Sequence, residues 1–208
     1  WGPYRVVAPD GSTVVAVAAF LADLGAAGRS RPTLRSYALD LLRWFRFLWA
    51  LGLSWEGAGR VEARDFSRWL QLRPYAPSVR AHSETVLRGF YEFHREEGGG
   101  PILNPFPLDG RRRGGRANAH HNPMEPHRDE RVGRYRPQVP ARIPRAIPDS
   151  AFDDIFARLR PHRDRALVAF YVSTGARASE LLSVTQGGVD PGRQVISVVR
   201  KGSGATQE

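Results

Sequence analysis

The sequence predicts a mainly α-helical fold: a four-helix unit, an Arg/Pro-rich linker, and a smaller region in which helices give way to a β-strand. Three observations carry this. Apolar residues recur at three- and four-residue intervals from Val14 to Phe93, which is the pattern of helices with one buried face. That periodicity stops over residues 101–147, where Pro, Gly and Arg dominate. It returns at Pro148 and ends in the β-branched run Gln194–Arg200, which reads as a strand. The expected division is therefore a helical unit over 10–105, a basic linker over 106–147 and a second region over 148–208.

Each element has a local cause. Residues 14–27 are rich in Ala, Val and Leu and end at Gly28, a helix stop. Ser30-Arg31-Pro32-Thr33 starts the next helix, with Ser or Thr as cap. Leu34, Tyr37, Leu41, Trp44, Phe45 and Leu48 form its buried stripe over 33–51. A third helix over Glu62–Leu72 buries Phe66, Trp69 and Leu70. A fourth runs from Pro77-Ser78 to Glu97 and buries Val79, Val86, Leu87, Phe90 and Phe93. Short links between four such helices predict a compact bundle. Beyond the linker, Asp149 or Ser150 caps a helix that buries Phe152, Ile155, Phe156 and Leu159. Another follows over Arg163–Ser173, with Leu167, Phe170 and Tyr171 inward. Thr174-Gly175 breaks it, and a short helix starts near Ala176, burying Leu181, Leu182 and Val184.

Composition narrows the function classes. The net charge of +10 across 208 residues predicts an acidic partner, most simply nucleic acid. No apolar run approaches membrane-spanning length. With no cysteine there is neither disulfide nor thiolate metal site, which fits a cytoplasmic protein. The opening Trp1-Gly2-Pro3-Tyr4 carries no signal-peptide pattern and no initiator Met, so the chain is expected to be a fragment. The 101–147 segment carries ten Arg against four acids. It is expected to stay extended by self-repulsion unless an acidic partner neutralises it. It includes Arg111, Arg112 and Arg113, candidates for DNA contact, and His120-His121, which lack a carboxylate or Cys at metal-ligand spacing.

In the helical unit, Arg35 and Arg46 stand eleven residues apart, three turns along one helix face, with Arg43 beside them. Arg80, Arg88 and Arg95 fall on one broad face of the fourth helix. Two basic faces on neighbouring helices suit the phosphates of a duplex, and His82 and Ser83 lie within reach of base edges. The chemistry-bearing pair is further on. Lys201 is the only lysine among 31 Lys and Arg, and it follows Arg177 by 24 residues. An ammonium can give up a proton where a guanidinium cannot. Arg177 is placed in the first turn of its short helix. Glu180, at i+3, is spaced to hold its guanidinium, and free backbone N–H groups there favour an anion. Arg177 can clamp two phosphate oxygens.

The segment Thr174-Gly175-Ala176-Arg177-Ala178-Ser179-Glu180-Leu181 resembles the Thr-Gly-x-Arg-x-Ser-Glu-Leu motif of the tyrosine recombinases, the phage-integrase-type site-specific recombinases. Lys201-Gly202, after a predicted strand, resembles the family's catalytic lysine in its hairpin turn. Thr33, Tyr37 and the Trp44/Phe45–Leu48 pattern are similar to the second helix of the family's SAM-like core-binding domain. Asn104-Pro105-Phe106 is similar to the segment that closes it. The resemblance implies a four-helix core-binding domain followed by a truncated α+β catalytic domain with one strand or hairpin near residue 208. It implies that Arg177 binds the scissile phosphate, Glu180 supports it and Lys201 protonates the leaving 5′ oxygen. It implies double-stranded DNA as partner, a homotetramer on paired sites, no metal or ATP cofactor, and a bacterial, nucleoid-associated setting. Thr33, Arg35, Arg43, Arg46, Arg80, His82 and Arg88 become the candidate DNA contacts.

The family's His-x-x-Arg pair, its further His or Trp and its nucleophilic Tyr find no match. All six tyrosines precede Lys201, and Tyr171, the nearest, has core spacing. Gly187-Gly188 replaces a usually acidic or polar stretch, and the strand before Lys201 is expected to lack its hairpin partner, leaving an open edge. Two alternatives belong to other classes. One is a non-catalytic DNA-binding relic or competitor for recombination sites. The other is a metal nuclease built on His120 and His121, for which no acidic cluster is present.

Overall fold

The computed structural model describes residues 3–109, 132–141, 146–199 and 206–207. The chain divides into two units, Trp1–Ala141 and Arg142–Glu208.

The first unit is built on four helices: α1 (Val15–Ala26), α2 (Arg31–Ala50), α3 (Arg60–Gln71) and α4 (Pro77–Glu96). Their apolar stripes meet as expected. Leu34, Leu41, Trp44, Phe45 and Leu48 of α2 are buried, with Phe66 and Leu70 of α3 and Val86, Leu87 and Phe90 of α4. Tyr37, Trp69 and Phe93 are partly buried against that core. Pro32 and Pro77 stand in the first turns of α2 and α4, where a missing N–H costs nothing. Ser30 occupies the N-cap of α2, but its hydroxyl pairs with that of Thr33 at 2.9 Å instead of with the backbone.

Trp44 is the hub. Its ring meets Phe66 edge-on at 5.0 Å and Phe106 at 5.3 Å, geometries that favour the ring quadrupoles. Its indole N–H donates to the Tyr91 hydroxyl at 2.9 Å, which donates to the Trp55 carbonyl at 3.1 Å. Burial pushes the Tyr91 phenol up from its usual value, so it stays a neutral donor.

The expected linker contributes to this unit. Phe106 is fully buried among the core aromatics. Asn104 sets it there by accepting the Phe106 N–H at 3.0 Å and donating to the Arg88 carbonyl at 3.0 Å. The two-residue strand β1 (Leu108–Asp109) pairs antiparallel with β2 (Val132–Gly133). The chain then turns so that Tyr135 packs on the core and its N–H donates to Glu84 at 3.0 Å. Pairing across so long a gap in sequence leaves no local signature, which is why composition alone suggested an extended tether.

The second unit holds α5 (Asp149–Arg158), α6 (His162–Thr174) and α7 (Ala178–Leu182), then β3 (Val189–Asp190), β4 (Val195–Ile196), β5 (Val198–Val199) and β6 (Thr206–Gln207). The positions match expectation, but the burial does not. α5 and α6 contain no fully buried residue. Ile155 is 50% exposed and Leu182 69%. Pro148 takes the N-cap of α5, so neither Asp149 nor Ser150 caps it. β3 pairs with β4, and β5 pairs with β6 through Val198↔Gln207 and Val199↔Thr206. The expected unpartnered edge is thus corrected: the chain supplies the hairpin partner from its own residues 206–207.

Candidate functional site

The Arg177 site is made by the end of one helix and the start of the next. The Thr174 hydroxyl donates back to the Phe170 carbonyl at 2.6 Å and accepts the Ala176 N–H at 3.2 Å. Gly175 adopts φ +62°, a left-handed turn that suits a residue without a Cβ. Arg177 is then extended (φ −75°, ψ 155°) and occupies the N-cap of α7, one step before the first turn in which the sequence placed it. The Glu180 carboxylate serves both halves of Arg177. One oxygen accepts its backbone N–H at 2.8 Å, and the other accepts from Nη1 at 2.8 Å. The backbone bond is half of a capping box.

This arrangement displaces the helix-terminus anion site expected from sequence, because the protein's own carboxylate takes the N-cap N–H and α7 is only five residues long. What remains is the guanidinium. Its side chain is 61% exposed, whereas the carboxylate beneath it is 8% exposed. A buried acid that grips the guanidinium by one edge holds it in place and leaves its outer nitrogens for an external anion. α7 packs against β5, the strand that precedes Lys201. Lys201 lies outside the described residues.

On the first unit, a second set of side chains gathers where α2 meets α4. Asp40 is buried on the apolar stripe of α2, its side chain 3% exposed. One oxygen accepts from Arg43 at 2.5 Å, and the other pairs with His82 Nδ1 at 2.6 Å. Arg43 also lies over the Tyr75 ring at 5.2 Å, and the His82 ring meets Tyr37 edge-on at 5.6 Å. Asp40 therefore ties the two helices and holds Arg43 and His82 at the surface. Arg35 and Arg46 are exposed on α2, as the spacing predicted. Thr33 is half-buried in its hydroxyl pair with Ser30.

The expected basic face of α4 is not formed as a unit. Arg88 is turned inward, 18% exposed and 4.0 Å from the buried Glu84. Burial, opposed by Glu84 and aided by the nearby charge of Arg136, pulls its guanidinium below its usual value. Arg80 is half-buried, and its Nε has no hydrogen-bond partner among the described residues. Arg95 pairs with Glu92 on the surface. Ser83 is 1% exposed and cannot reach a base edge. Arg111, Arg112, Arg113, His120 and His121 lie outside the described residues. Asp40 and Glu84 were missed because charged side chains usually face water. The available signal was position: each stands inside an apolar stripe, Asp40 one turn before Trp44 and Glu84 one turn before Leu87.

Residues 17–98, which span α1–α4, match the family described as "Phage integrase, N-terminal SAM-like domain". The chain is 28% identical over 181 residues to tyrosine recombinase XerD of Xanthomonas campestris pv. campestris, covering 85% of this chain and 48% of that protein. It is 28% identical to XerD of Xanthomonas axonopodis pv. citri, covering 85% and 51%, and 24% identical to XerD of Shewanella oneidensis, covering 88% and 55%. The chain is thus similar to tyrosine recombinases over most of its length. It spans about half the length of the curated relatives it matches. The family's helical N-terminal domain corresponds to the four-helix bundle, and the matches to the relatives extend beyond it into the region of Arg177. No helix among the described residues is long and apolar enough to cross a membrane.

Proposed function

We propose that this chain is the core-binding domain and the first part of the catalytic domain of a site-specific DNA recombinase, acting by strand cleavage and rejoining through a 3′-phosphotyrosyl intermediate. The observation that carries this is the Arg177 guanidinium, seated on buried Glu180 with its outer face exposed, within a segment that keeps every defining position of the family's arginine motif. In this reading a tyrosine hydroxyl attacks the scissile phosphorus and the P–O5′ bond breaks. Arg177 stabilises charge on the non-bridging oxygens, and Lys201 gives its proton to the departing 5′ oxygen. The 5′-hydroxyl of the other strand then attacks the phosphotyrosyl bond and restores the diester. Arg35, Arg46, Arg43 and His82 contact duplex DNA, joined by the Arg111–Arg113 run. The whole protein works as a homotetramer on paired sites at the nucleoid, and mobilisation of a DNA element is its natural outcome.

The test takes the reading frame to its stop codon and nicked DNA carrying the flanking repeats. A covalent protein–DNA adduct on a denaturing gel is expected. Arg177→Ala should lower it roughly 100- to 1,000-fold, the usual cost of removing one charge-stabilising donor. Lys201→Ala should weaken it, and a 5′-thiolate leaving group, which needs no proton, should rescue that variant. Salt-sensitive binding without any adduct overturns the catalytic reading and leaves a DNA-binding competitor.

A further inference from the structure

Where α2 packs on α4, Asp40 sorts the basic side chains of that face into two kinds. Its side chain is 3% exposed, yet both its oxygens bond partners that reach the surface: Arg43 Nη1 at 2.5 Å from the same helix and His82 Nδ1 at 2.6 Å from α4. The Arg43 side chain is 27% exposed and that of His82 44%. Arg43 is fixed again by the Tyr75 ring at 5.2 Å, and His82 by its edge-on contact with Tyr37 at 5.6 Å. An ionised carboxylate only accepts, so Nδ1 of His82 carries the hydrogen and Nε2 is the nitrogen left over. Neither Nε2 of His82 nor Nε and Nη2 of Arg43 makes a hydrogen bond among the described residues. Arg35 and Arg46 are the other kind. They are exposed on α2 and have no ion pair or hydrogen bond among the described residues.

Orientation decides what each kind is suited to. A phosphate accepts from many directions, so an arginine on a free stem serves it. A base edge presents donors and acceptors in a fixed pattern, and a side chain has to meet it in register. Holding a side chain in one rotamer costs conformational entropy and gains nothing at a phosphate. Charge points the same way. DNA is a polyanion, and a carboxylate under its contact face subtracts from the attraction. Helix packing alone does not call for the acid either, since well-packed apolar side chains in place of a buried ion pair are often neutral or stabilising. A face built only to attract phosphates has no use for Asp40, whereas one that must aim two side chains does.

We propose that Arg43 and His82 read base edges of the target duplex, that Asp40 is their positioning residue, and that Arg35 and Arg46 contact phosphates. This rests on the DNA-binding reading above and divides its contacts into those that specify sequence and those that supply affinity. Arg43 offers the edge formed by Nε and Nη2, two donors side by side, which match the paired O6 and N7 acceptors of guanine. His82 offers Nε2 to a single group on a neighbouring base.

The experiment binds the 208-residue chain to a library of duplexes with a randomised core and sequences the bound fraction. Affinity for one random-sequence duplex is measured beside it over a salt series. The wild type should enrich a motif. Arg43→Gln and His82→Ala should each lose preference at one base pair by about 5-fold or more, the least that a good base contact discriminates. Asp40→Asn keeps the shape and should blur both positions while leaving random-duplex affinity unchanged or higher. A merely structural role would instead lower both kinds of binding together. Arg35→Gln with Arg46→Gln should keep the motif and flatten the slope of log K against log salt by about 1.8. Arg43→Gln and His82→Ala lie at the surface, so they test the base contacts even if Asp40→Asn fails to fold. Three results overturn the proposal. If the wild type binds duplexes without enriching a motif, or if Arg43→Gln and His82→Ala keep the motif, the base contacts fail although DNA binding stands. If the Arg35 and Arg46 pair erases the motif, the roles are assigned the wrong way round. If the wild type binds no duplex at all, the proposal and the DNA-binding reading fail together.

Discussion

Two residue contacts, one at the Arg177 site and one in the helical core, each make a prediction. The Glu180 carboxylate holds both the backbone and the side chain of Arg177, so its role is to position the arginine. Replacing Glu180 with Gln keeps the shape and one acceptor but removes the charge. Adduct formation by the full-length protein should fall roughly 10- to 100-fold, the usual cost of losing a supporting partner, and less than for Arg177→Ala. A Gln variant as inactive as Arg177→Ala would mean that Glu180 does more than position. The second contact is structural. The Tyr91 hydroxyl is the partner of both the Trp44 indole and the Trp55 carbonyl. Tyr91→Phe leaves the buried Trp44 indole N–H unmet, while the Trp55 carbonyl keeps the Ala58 N–H at 3.4 Å, and should cost about 2 kcal/mol in urea unfolding. Trp44→Ala, which empties the hub of the core, should cost about 3–5 kcal/mol.

At the scale of elements, the packing of α4 on α1 carries a titratable latch. His94 of α4 bonds through Nε2 to the Ala16 carbonyl of α1 at 3.0 Å, ringed by Trp55, Phe90 and Phe93. Only its neutral form can be buried cheaply. Desolvation holds its pKa below the ordinary 6.5, and the Ala16 bond and the charges of Glu56 and Glu97 oppose the shift without reversing it. Below about pH 6.5 the unfolded chain therefore takes up a proton that the folded chain refuses. The contribution of His94 is fully present above that pH and is lost as the pH falls toward the folded value. Thermal unfolding from about pH 7 to about pH 5 should show the wild type losing more stability than His94→Gln, which keeps a donor for Ala16 but does not titrate in this range. Parallel losses would show that the latch is silent. Neither His94 nor Asp40 was legible as a link between helices, because a sequence shows periodicity along one element and not which polar group answers another. The helices themselves were legible: α1–α4 each carry an apolar stripe strong enough to locate them within a few residues.

Across the whole molecule, the contrast between the units explains both what was readable and what was not. The first unit closes around Trp44, Phe66, Phe90 and Phe106, and its sequence periodicity is matched by burial. In the second, Phe152, Ile155 and Phe156 share one face of α5 but none is fully buried, and Leu159, expected on that face, falls past the helix end in extended backbone; periodicity reports only what a helix is able to cover. Ile155, Val172 and Leu182 stay half exposed or more, and Glu180 and Leu181 are its buried residues among those described. The Arg177 motif was legible because each of its positions does a local job within eight residues: hydroxyl cap, left-handed glycine, cation, and the acid one turn on. The packing of Tyr135 on the first unit's core was not, because β1–β2 pairing brings it there from the far side of residues 110–131. Burial sets how far amides are protected from exchange, since opening a segment costs free energy in proportion to the apolar contacts it breaks. Amides of α2 and α4 in the 208-residue chain should therefore exchange only on global unfolding of the first unit, whereas those of α5 and α6 should exchange by local opening at least 100-fold faster, a gap of about 2.7 kcal/mol. Hydrogen exchange followed by mass spectrometry reads this directly. Equal protection in both units would show that the exposed faces of α5 and α6 are covered in solution.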